Sequence, residues 1–223
     1  QFTPDLLPAD IVGTRIYRGS TETFDVELGP VFVNFLLADE VNRAPAKVQS
    51  ALLEAMAERQ VSIGRSTYDL PPLFLVMATQ NPIEQEGTYP LPEAELDRFM
   101  LKLRMDYPQA DEELTLVRQV TRSAKADMLE VAPLRTLLSA KDVLALQKIA
   151  SELAIDDQVV DYAVRLARAT RSWPGLAMGA GPRASIALVR GGRARALLRG
   201  GDFVVPDDVK ACALAVLRHR VRL

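Results

Sequence analysis

The sequence has very few of the residues on which several common chemistries depend. Of its 223 residues, one is a cysteine, Cys212, and one is a histidine, His219. A single cysteine excludes a disulfide within the chain, and we expect a reducing compartment, the cytoplasm. A single histidine leaves little material for a Ser-His-Asp triad or a multi-histidine metal site. We expect Cys212 in an apolar core, and His219, between Arg218 and Arg220, on a solvated helix face.

Long hydrophobic runs are also missing. The longest, from Val31 to Ala38, is interrupted by Asn34, which excludes a membrane-spanning helix by the usual length criterion. No signal peptide is visible at the N-terminus. The chain is nevertheless 48% hydrophobic and 25% charged, as in soluble globular proteins with one large or two small domains.

Charge is unevenly distributed along the chain. Residues 161–223 contain 12 Lys and Arg against 4 Asp and Glu, a net +8, whereas residues 1–160 carry a net −10. Such asymmetry is compatible with a nucleic-acid-binding tail or with two halves of different fold. We favour the second, in which a basic helical part faces an acidic neighbour, and nucleic acid is not an expected partner.

The first part of the chain has the pattern of an α/β layer. Alternating residues around short Gly-containing turns predict hairpins at 14–28 and 60–70. Near-continuous apolar runs at 31–38, 74–79 and 99–103 predict strands of a parallel sheet buried on both faces. A helix from Pro45 to about Glu58 and a short one at 93–98 separate them.

Helical periodicity dominates from residue 111 onward. We predict helices at 112–123, 140–154, 157–171, 182–198 and 206–220, with a linker at 124–138. The expected domains are an α/β core at 1–110, a connecting helix and linker at 111–139, and a helical domain at 140–223. Gly191 and Gly192 lie inside one predicted helix and are expected to kink or break it.

Polar residues follow two of the predicted strands. Asp39 and Glu40 end the first run and Asn81 follows the second, where open α/β sheets bind ligands. In phosphoryl transfer, one such carboxylate holds Mg²⁺ and a second polarises the attacking water, which an amide can help to orient. The alternatives are surface charge at a strand end and an ordinary turn asparagine before proline.

Two arginines complete the candidate set. Arg98 ends the short helix before the third run, where it is suited to neutralise charge at a neighbouring subunit's site. Its alternative is a surface salt bridge with Glu95 or Asp97. Arg183 begins a helix in the second half, a feature that says little by itself.

The order of these features resembles the MoxR family of AAA+ ATPases. The resemblance covers essentially the whole chain, is weakest over 123–139 and is most specific over 78–99. The stretches that carry it, read from the sequence, are QFTPDLLP at 1–8, LADEVNRA at 37–44, QSALLEAM at 49–56, ATQNPIEQEGTYPLPEA at 78–94 and LDRF at 96–99.

The resemblance implies a P-loop NTPase-type (AAA+) core with a parallel sheet, followed by a small all-α lid. It implies that Asp39 and Glu40 are the Walker B pair, with Asp39 toward Mg²⁺ and Glu40 catalytic, and that Asn81 is sensor 1. Arg98 would be the arginine finger and Arg183 the sensor 2 arginine. ATP and Mg²⁺ are then the expected cofactors, bound between subunits of a homo-oligomeric, hexameric ring.

The same resemblance implies a chaperone-like role. Such proteins use ATP hydrolysis to remodel or activate a client protein, often alongside a partner with a von Willebrand A domain. The hairpin at 14–28 is similar to the helix-2 insert of this clade, and that at 60–70 to the hairpin before sensor 1.

One part of the family pattern is not found. The sequence contains no G-x-x-x-x-G-K-[ST] phosphate loop, whose backbone N–H groups and lysine supply much of the phosphate affinity. We therefore expect this chain alone to be nearly inactive and to be a fragment of a longer protein. The alternatives are a non-hydrolysing interaction module of the same fold and, ranked third, a DNA-acting relative.

Overall fold

A computed structural model describes residues 1–81, 88–122 and 135–223. The described residues form two compact units, one of residues 1–102 and 140–223 and one of residues 103–139. The predicted linker at 124–138 falls largely outside the described residues, as do residues 82–87 of the most specific family stretch. The division into three domains stays a prediction.

The first part of the larger unit contains two hairpins and a parallel strand pair. Its elements, in chain order, are α1 (Pro8–Val12), β1 (Gly13–Arg18), β2 (Thr23–Leu28), β3 (Phe35–Ala38), α2 (Ala46–Glu58), β4 (Gln60–Ile63), β5 (Ser66–Asp69), β6 (Leu75–Ala78) and α3 (Glu93–Leu96). β1 pairs with β2 and β4 with β5, both antiparallel, so both predicted hairpins are confirmed. β3 pairs with β6 in parallel, with Ala38 opposite Ala78.

The second part is helical. Its elements are α5 (Ala140–Glu152), β7 (Ala154–Ile155), α6 (Asp157–Ala169), α7 (Pro182–Leu198), β8 (Phe203–Val204) and α8 (Pro206–Leu217), while α4 (Ala110–Arg122) belongs to the smaller unit. The predicted helices are confirmed to within a few residues at their ends. An α/β layer followed by a helical domain is therefore the fold class, as predicted.

Each part has its own apolar core. In the first, Val48, Leu52 and Leu53 of α2 are fully buried against Ala38 of β3. In the second, Leu188 of α7 packs with residues of α6 and α8. No helix within the described ranges combines the length and apolarity that crossing a bilayer requires.

The expectation of strands buried on both faces is wrong for β3 and β6. Leu36 and Val76 pack against the first core, but the alternate residues on the other face are exposed, among them Leu37 and Met77 at 61% and 60%. Because side chains alternate between the faces of a strand, only one face of this pair meets a core within the described residues.

The predicted third strand, 99–103, is not formed. The carbonyl oxygens of Phe99 and Met100 accept hydrogen bonds from the side chain of Arg220, and the Phe99 N–H closes a turn onto Leu96. These backbone groups are therefore not available for a ladder of strand hydrogen bonds.

The expected break at Gly191 and Gly192 is also wrong, since α7 runs without interruption from Pro182 to Leu198. A Cβ on Gly191 would lie 3.1 Å from the Cys212 sulfur, and one on Gly192 3.1 Å from Val209 Cγ2. The two glycines thus allow α7 to pack closely on α8, and this contact offsets their low helix propensity.

Candidate functional site

The parallel pairing of β3 and β6 brings the ends of the two strands together. The Thr79 N–H donates to the Ala38 carbonyl at 3.0 Å, and the Val41 N–H donates to the Thr79 carbonyl at 3.0 Å. The pairing therefore continues one residue past each strand. Asp39 and Glu40 lie beside Thr79 at one edge of the sheet. The sequence predicts that the two strand ends are neighbours, but it indicated Asn81 rather than Thr79 as the contacting residue.

Thr79 fixes both carboxylate residues with a single hydroxyl group. The hydroxyl donates to Asp39 Oδ1 at 2.6 Å and accepts the Glu40 backbone N–H at 2.8 Å. This residue was missed at the level of sequence, although it lies two residues before Asn81, which the sequence did indicate. The signal available was a hydroxyl residue at the end of a strand beside a carboxylate pair.

Glu40 is held in an unusual backbone conformation. Its φ of 54° lies in the left-handed region, which is rare for a residue with a side chain and costs about 1–3 kcal/mol. Its carboxylate Oε2 contacts Arg43 Nε at 3.1 Å and accepts from Gln1 Nε2 at 3.0 Å. The bonds to Thr79 and Arg43 on either side explain how the conformation is maintained.

The segment after Glu40 is anchored by buried amides. Gln49 of α2 is 1% exposed, and its Nε2 contacts the carbonyl oxygens of Val41, Ala44 and Tyr89 at 3.0 to 3.2 Å. Asn42 Nδ2 donates to the Asn81 carbonyl at 3.4 Å. The backbone of Asn81 is thus tied to the segment that carries Asp39 and Glu40.

Arg98 lies in a different setting. Its side chain is exposed, and the salt bridges considered for it are not formed, since Asp97 pairs with Arg220 at 2.7 Å and Glu95 accepts from Ser50. The Arg98 N–H bonds the Glu95 carbonyl, which closes the turn after α3.

Arg183 is exposed in the first turn of α7. The start of this helix lies near Asp97, because a Cβ on Gly181 would be 4.0 Å from Asp97 Oδ2. The five predicted residues therefore fall into two groups. Asp39, Glu40 and Asn81 share one edge of the sheet, and Arg98 and Arg183 lie on segments that approach each other at Asp97.

His219 is not on a solvated face, as the sequence suggested, but 9% exposed. Its Nε2 lies 2.9 Å from the Phe99 carbonyl, which can only accept, so Nε2 carries the proton. Burial lowers the pKa of His219 below its usual value, and the nearby Arg220 and Lys102 act in the same direction. Cys212 packs on the second core as expected, and burial raises the pKa of its thiol.

The donor set at the sheet edge suits Mg²⁺. Asp39 and Glu40 are half-buried, and with the Thr79 hydroxyl they offer only hard oxygen ligands, which Mg²⁺ prefers. Mg²⁺ in nucleotide sites is usually held by one or two carboxylates together with waters and substrate phosphates. A pair of adjacent carboxylates at the end of a strand fits that requirement.

Comparisons with known proteins agree on one class. A family model described as "ATPase family associated with various cellular activities (AAA)" matches residues 1–101, and an AAA lid domain model matches residues 168–222. A solved structure described as a putative ATPase from Cytophaga hutchinsonii is 46% identical, with a TM-score of 0.87, over 100% of this chain and 69% of that one.

Curated relatives are similar over nearly the whole chain. Chaperone MoxR1 of Mycobacterium tuberculosis is 52% identical over 100% of this chain. An uncharacterized protein, YeaC, of Bacillus subtilis is 45% identical over 100% of this chain and 68% of its own length. Protein MoxR of Methylorubrum extorquens is 34% identical over 99% of this chain and 69% of its own length. The chain spans 60% of the length of Chaperone MoxR1.

Proposed function

The chain belongs to the MoxR family of AAA+ ATPases, and on this premise we propose that it hydrolyses ATP between subunits to remodel or activate partner proteins. Similarity to a protein named as a chaperone supports a chaperone-like role. The chain spans only part of the length of that relative. The activity that the whole protein would have is therefore proposed as well.

The observation that carries the proposal is the bridge made by Thr79 between Asp39 and Glu40. One hydroxyl holds the carboxylate of Asp39 and the backbone of Glu40 at the carboxyl end of two parallel strands. Fixed carboxylates at this edge are what metal-assisted phosphoryl transfer requires. Two acidic residues that merely end a strand at the surface would not need a hydroxyl group that holds both of them in place.

Each residue at the edge has a proposed role. Asp39 would hold Mg²⁺ through water, and Glu40 would accept a hydrogen bond from the attacking water and polarise it. Asn81 would orient that water or the γ-phosphate. Mg²⁺, when bound with ATP, neutralises charge that develops on the phosphate oxygens.

The two exposed arginines extend the site beyond the sheet edge. Arg98 would project into the nucleotide site of the adjacent subunit and neutralise transition-state charge there. Arg183, in the first turn of α7, would contact the nucleotide from the lid. Head-to-tail contacts of this kind close into a ring, for which six subunits are proposed from the family.

Only the class of partner protein is proposed. From the family resemblance we propose a client protein that is remodelled and a companion protein with a von Willebrand A domain. The expected setting is the cytoplasm.

The test is steady-state ATP turnover by the full-length native protein, with the present chain assayed beside it. Glu40→Gln keeps the size of the side chain and its hydrogen-bonding ability but removes the negative charge. We expect turnover to fall by at least about 100-fold, with ATP binding retained. The present chain, which has no phosphate loop, should show little turnover.

Glu54→Gln is the matched control, because Glu54 is an exposed glutamate on α2 and its replacement should leave turnover unchanged. Equal turnover by Glu40→Gln and the unchanged protein would refute the catalytic assignment. Absence of turnover in the full-length protein would instead support a non-hydrolysing interaction module of the same fold.

A further inference from the structure

Arg220 is a buried arginine at the C-terminal end of the lid. Its side chain is 2% exposed, and its guanidinium makes five hydrogen bonds. Nε donates to Asp97 Oδ1 at 2.7 Å, Nη2 to the Asp97 and Phe99 carbonyls, and Nη1 to the Met100 and Val216 carbonyls. The number equals the five N–H groups that a guanidinium has to donate.

Four of these five bonds reach residues within two positions of Arg98. The acceptors are the carboxylate and carbonyl of Asp97 on one side, and the carbonyls of Phe99 and Met100 on the other. His219 adds a contact of 2.9 Å to the Phe99 carbonyl. The backbone on both sides of Arg98 is therefore held from the lid, while the Arg98 side chain is exposed.

Packing of the fold alone does not require a buried guanidinium with five hydrogen bonds at this position. A buried guanidinium is costly unless every donor is satisfied, and an apolar residue could fill the same volume without that requirement. The planar fork of an arginine, in contrast, fixes several carbonyl oxygens in one geometry. The consequence is a defined path for the backbone that carries Arg98.

We propose that Arg220 is a positioning residue that sets Arg98 for the neighbouring subunit's site and so links the lid of one subunit to ATP hydrolysis in the next. The inference rests on the proposed function, because it requires Arg98 to act across the subunit interface. It assigns Arg220 no contact with the nucleotide. A subunit without Arg220 fails as a donor of Arg98, while its own nucleotide site, built on Asp39 and Glu40, stays competent.

Mixed assemblies of the full-length protein separate these two effects. Arg220→Gln alone should lower kcat by about 100-fold, the size of effect that a displacement of about 1 Å produces, with the KM for ATP little changed. Glu40→Gln subunits are themselves inactive but carry intact Arg98 and Arg220. Mixing the two variants should restore turnover well above that of either alone, because the Glu40→Gln subunits present Arg98 to the sites of the Arg220→Gln subunits.

Two further variants control the experiment. Arg222→Gln removes a nearby arginine whose side chain is 72% exposed and forms an ion pair with Glu93, and it should not change turnover. Asp97→Asn removes the charge to which Arg220 is bonded, and it should show the same defect and the same rescue. Asp97→Asn carries the test if Arg220→Gln does not fold, as judged by circular dichroism.

The outcomes are distinguishable. Unchanged turnover in Arg220→Gln, or a loss that mixing does not restore, overturns the proposal and leaves Arg220 a structural residue of its own subunit. Arg98→Ala mixed with Glu40→Gln tests the underlying function separately. If that mixture also stays inactive, Arg98 does not act across the interface, and the role of Arg220 falls with that of Arg98.

Discussion

Thr79 links the end of one strand of the parallel pair to the two carboxylate residues that follow the other strand. Its hydroxyl serves Asp39 and Glu40 at once, so Thr79→Val, which keeps the shape, removes both bonds. We expect kcat of the full-length protein to fall about tenfold, the equivalent of about 1.4 kcal/mol. Thr79 is exposed, so water replaces part of what is lost. Turnover and ATP affinity, measured together, check this.

Thr79→Ser is the matched control, because it keeps the hydroxyl and removes only a methyl group. Turnover close to that of the unchanged protein is expected. A loss in Thr79→Ser as large as that in Thr79→Val would assign the effect to packing rather than to the hydroxyl.

His219 gives the structure a pH dependence of its own. Burial lowers its pKa in the folded state, whereas the unfolded chain has the ordinary value of about 6.5. Below that pH the unfolded state binds more protons, so the contribution of His219 to stability is greatest above about pH 6.5 and declines as the pH falls toward the folded-state pKa. Protonation would also place a second N–H on Nδ1, which is buried without a hydrogen-bond partner in the described part of the chain.

His219→Gln should remove this part of the pH dependence, since it replaces the only histidine in the sequence. Free energies of unfolding in urea, at about pH 7.5 and about pH 5.5, would be compared for the two proteins. The unchanged protein should lose more stability on acidification than the variant. Equal losses would show that His219 titrates normally in the folded state.

At the scale of elements, the close packing of α7 on α8 explains why two glycines lie inside a helix. A Cβ on Gly192 would be 3.1 Å from Val209 Cγ2 and 3.3 Å from Val204 Cγ1, and valine side chains have little rotamer freedom to yield. For Gly192→Ala we expect a gain of about 1 kcal/mol in helix propensity. A cost of about 1–3 kcal/mol from overpacking exceeds it, so the variant is destabilised.

A double-mutant cycle tests that explanation. Val209→Ala removes the nearer methyl groups, so Gly192→Ala should cost less in its presence, with a coupling of about 1 kcal/mol. Urea unfolding of the two single variants and the double variant measures it. If the free-energy costs of the two substitutions simply add, contact with Val209 is not the cause of the destabilisation by Gly192→Ala.

The elements that could be predicted are those with local signals. Gly64 in a short turn predicts the second hairpin, and Pro182 and Pro206 predict the starts of α7 and α8. The proximity of Asp39 to the end of β6 could also be predicted, because parallel neighbours end at the same edge. The Arg220 network could not, since four of its five bonds reach acceptors about 120 residues away in sequence and no local pattern marks them. The same long-range bonds explain why the third predicted strand and the solvated His219 were wrong.

At the scale of the whole molecule, the proposed function needs residues from two subunits to complete one site. Asp39, Glu40 and Asn81 share the sheet edge, while Arg98 and Arg183 lie on segments that meet at Asp97. The exposed Arg98 makes no ion pair with its neighbours in the described residues, as its proposed role toward another subunit requires. A site built from two subunits makes turnover depend on assembly.

ATP turnover per subunit of the full-length protein should therefore fall on dilution. Over about a 100-fold range of concentration around the dissociation constant of the assembly, turnover should follow the assembled fraction measured by light scattering. Added Glu40→Gln subunits should raise the turnover of the dilute protein, because each supplies Arg98 to an intact site. Arg98→Ala subunits should not, and they are the matched control. Turnover per subunit that stays constant while the assembly dissociates would mean that a single chain holds every group the reaction needs, and Arg98 would then have no role across an interface.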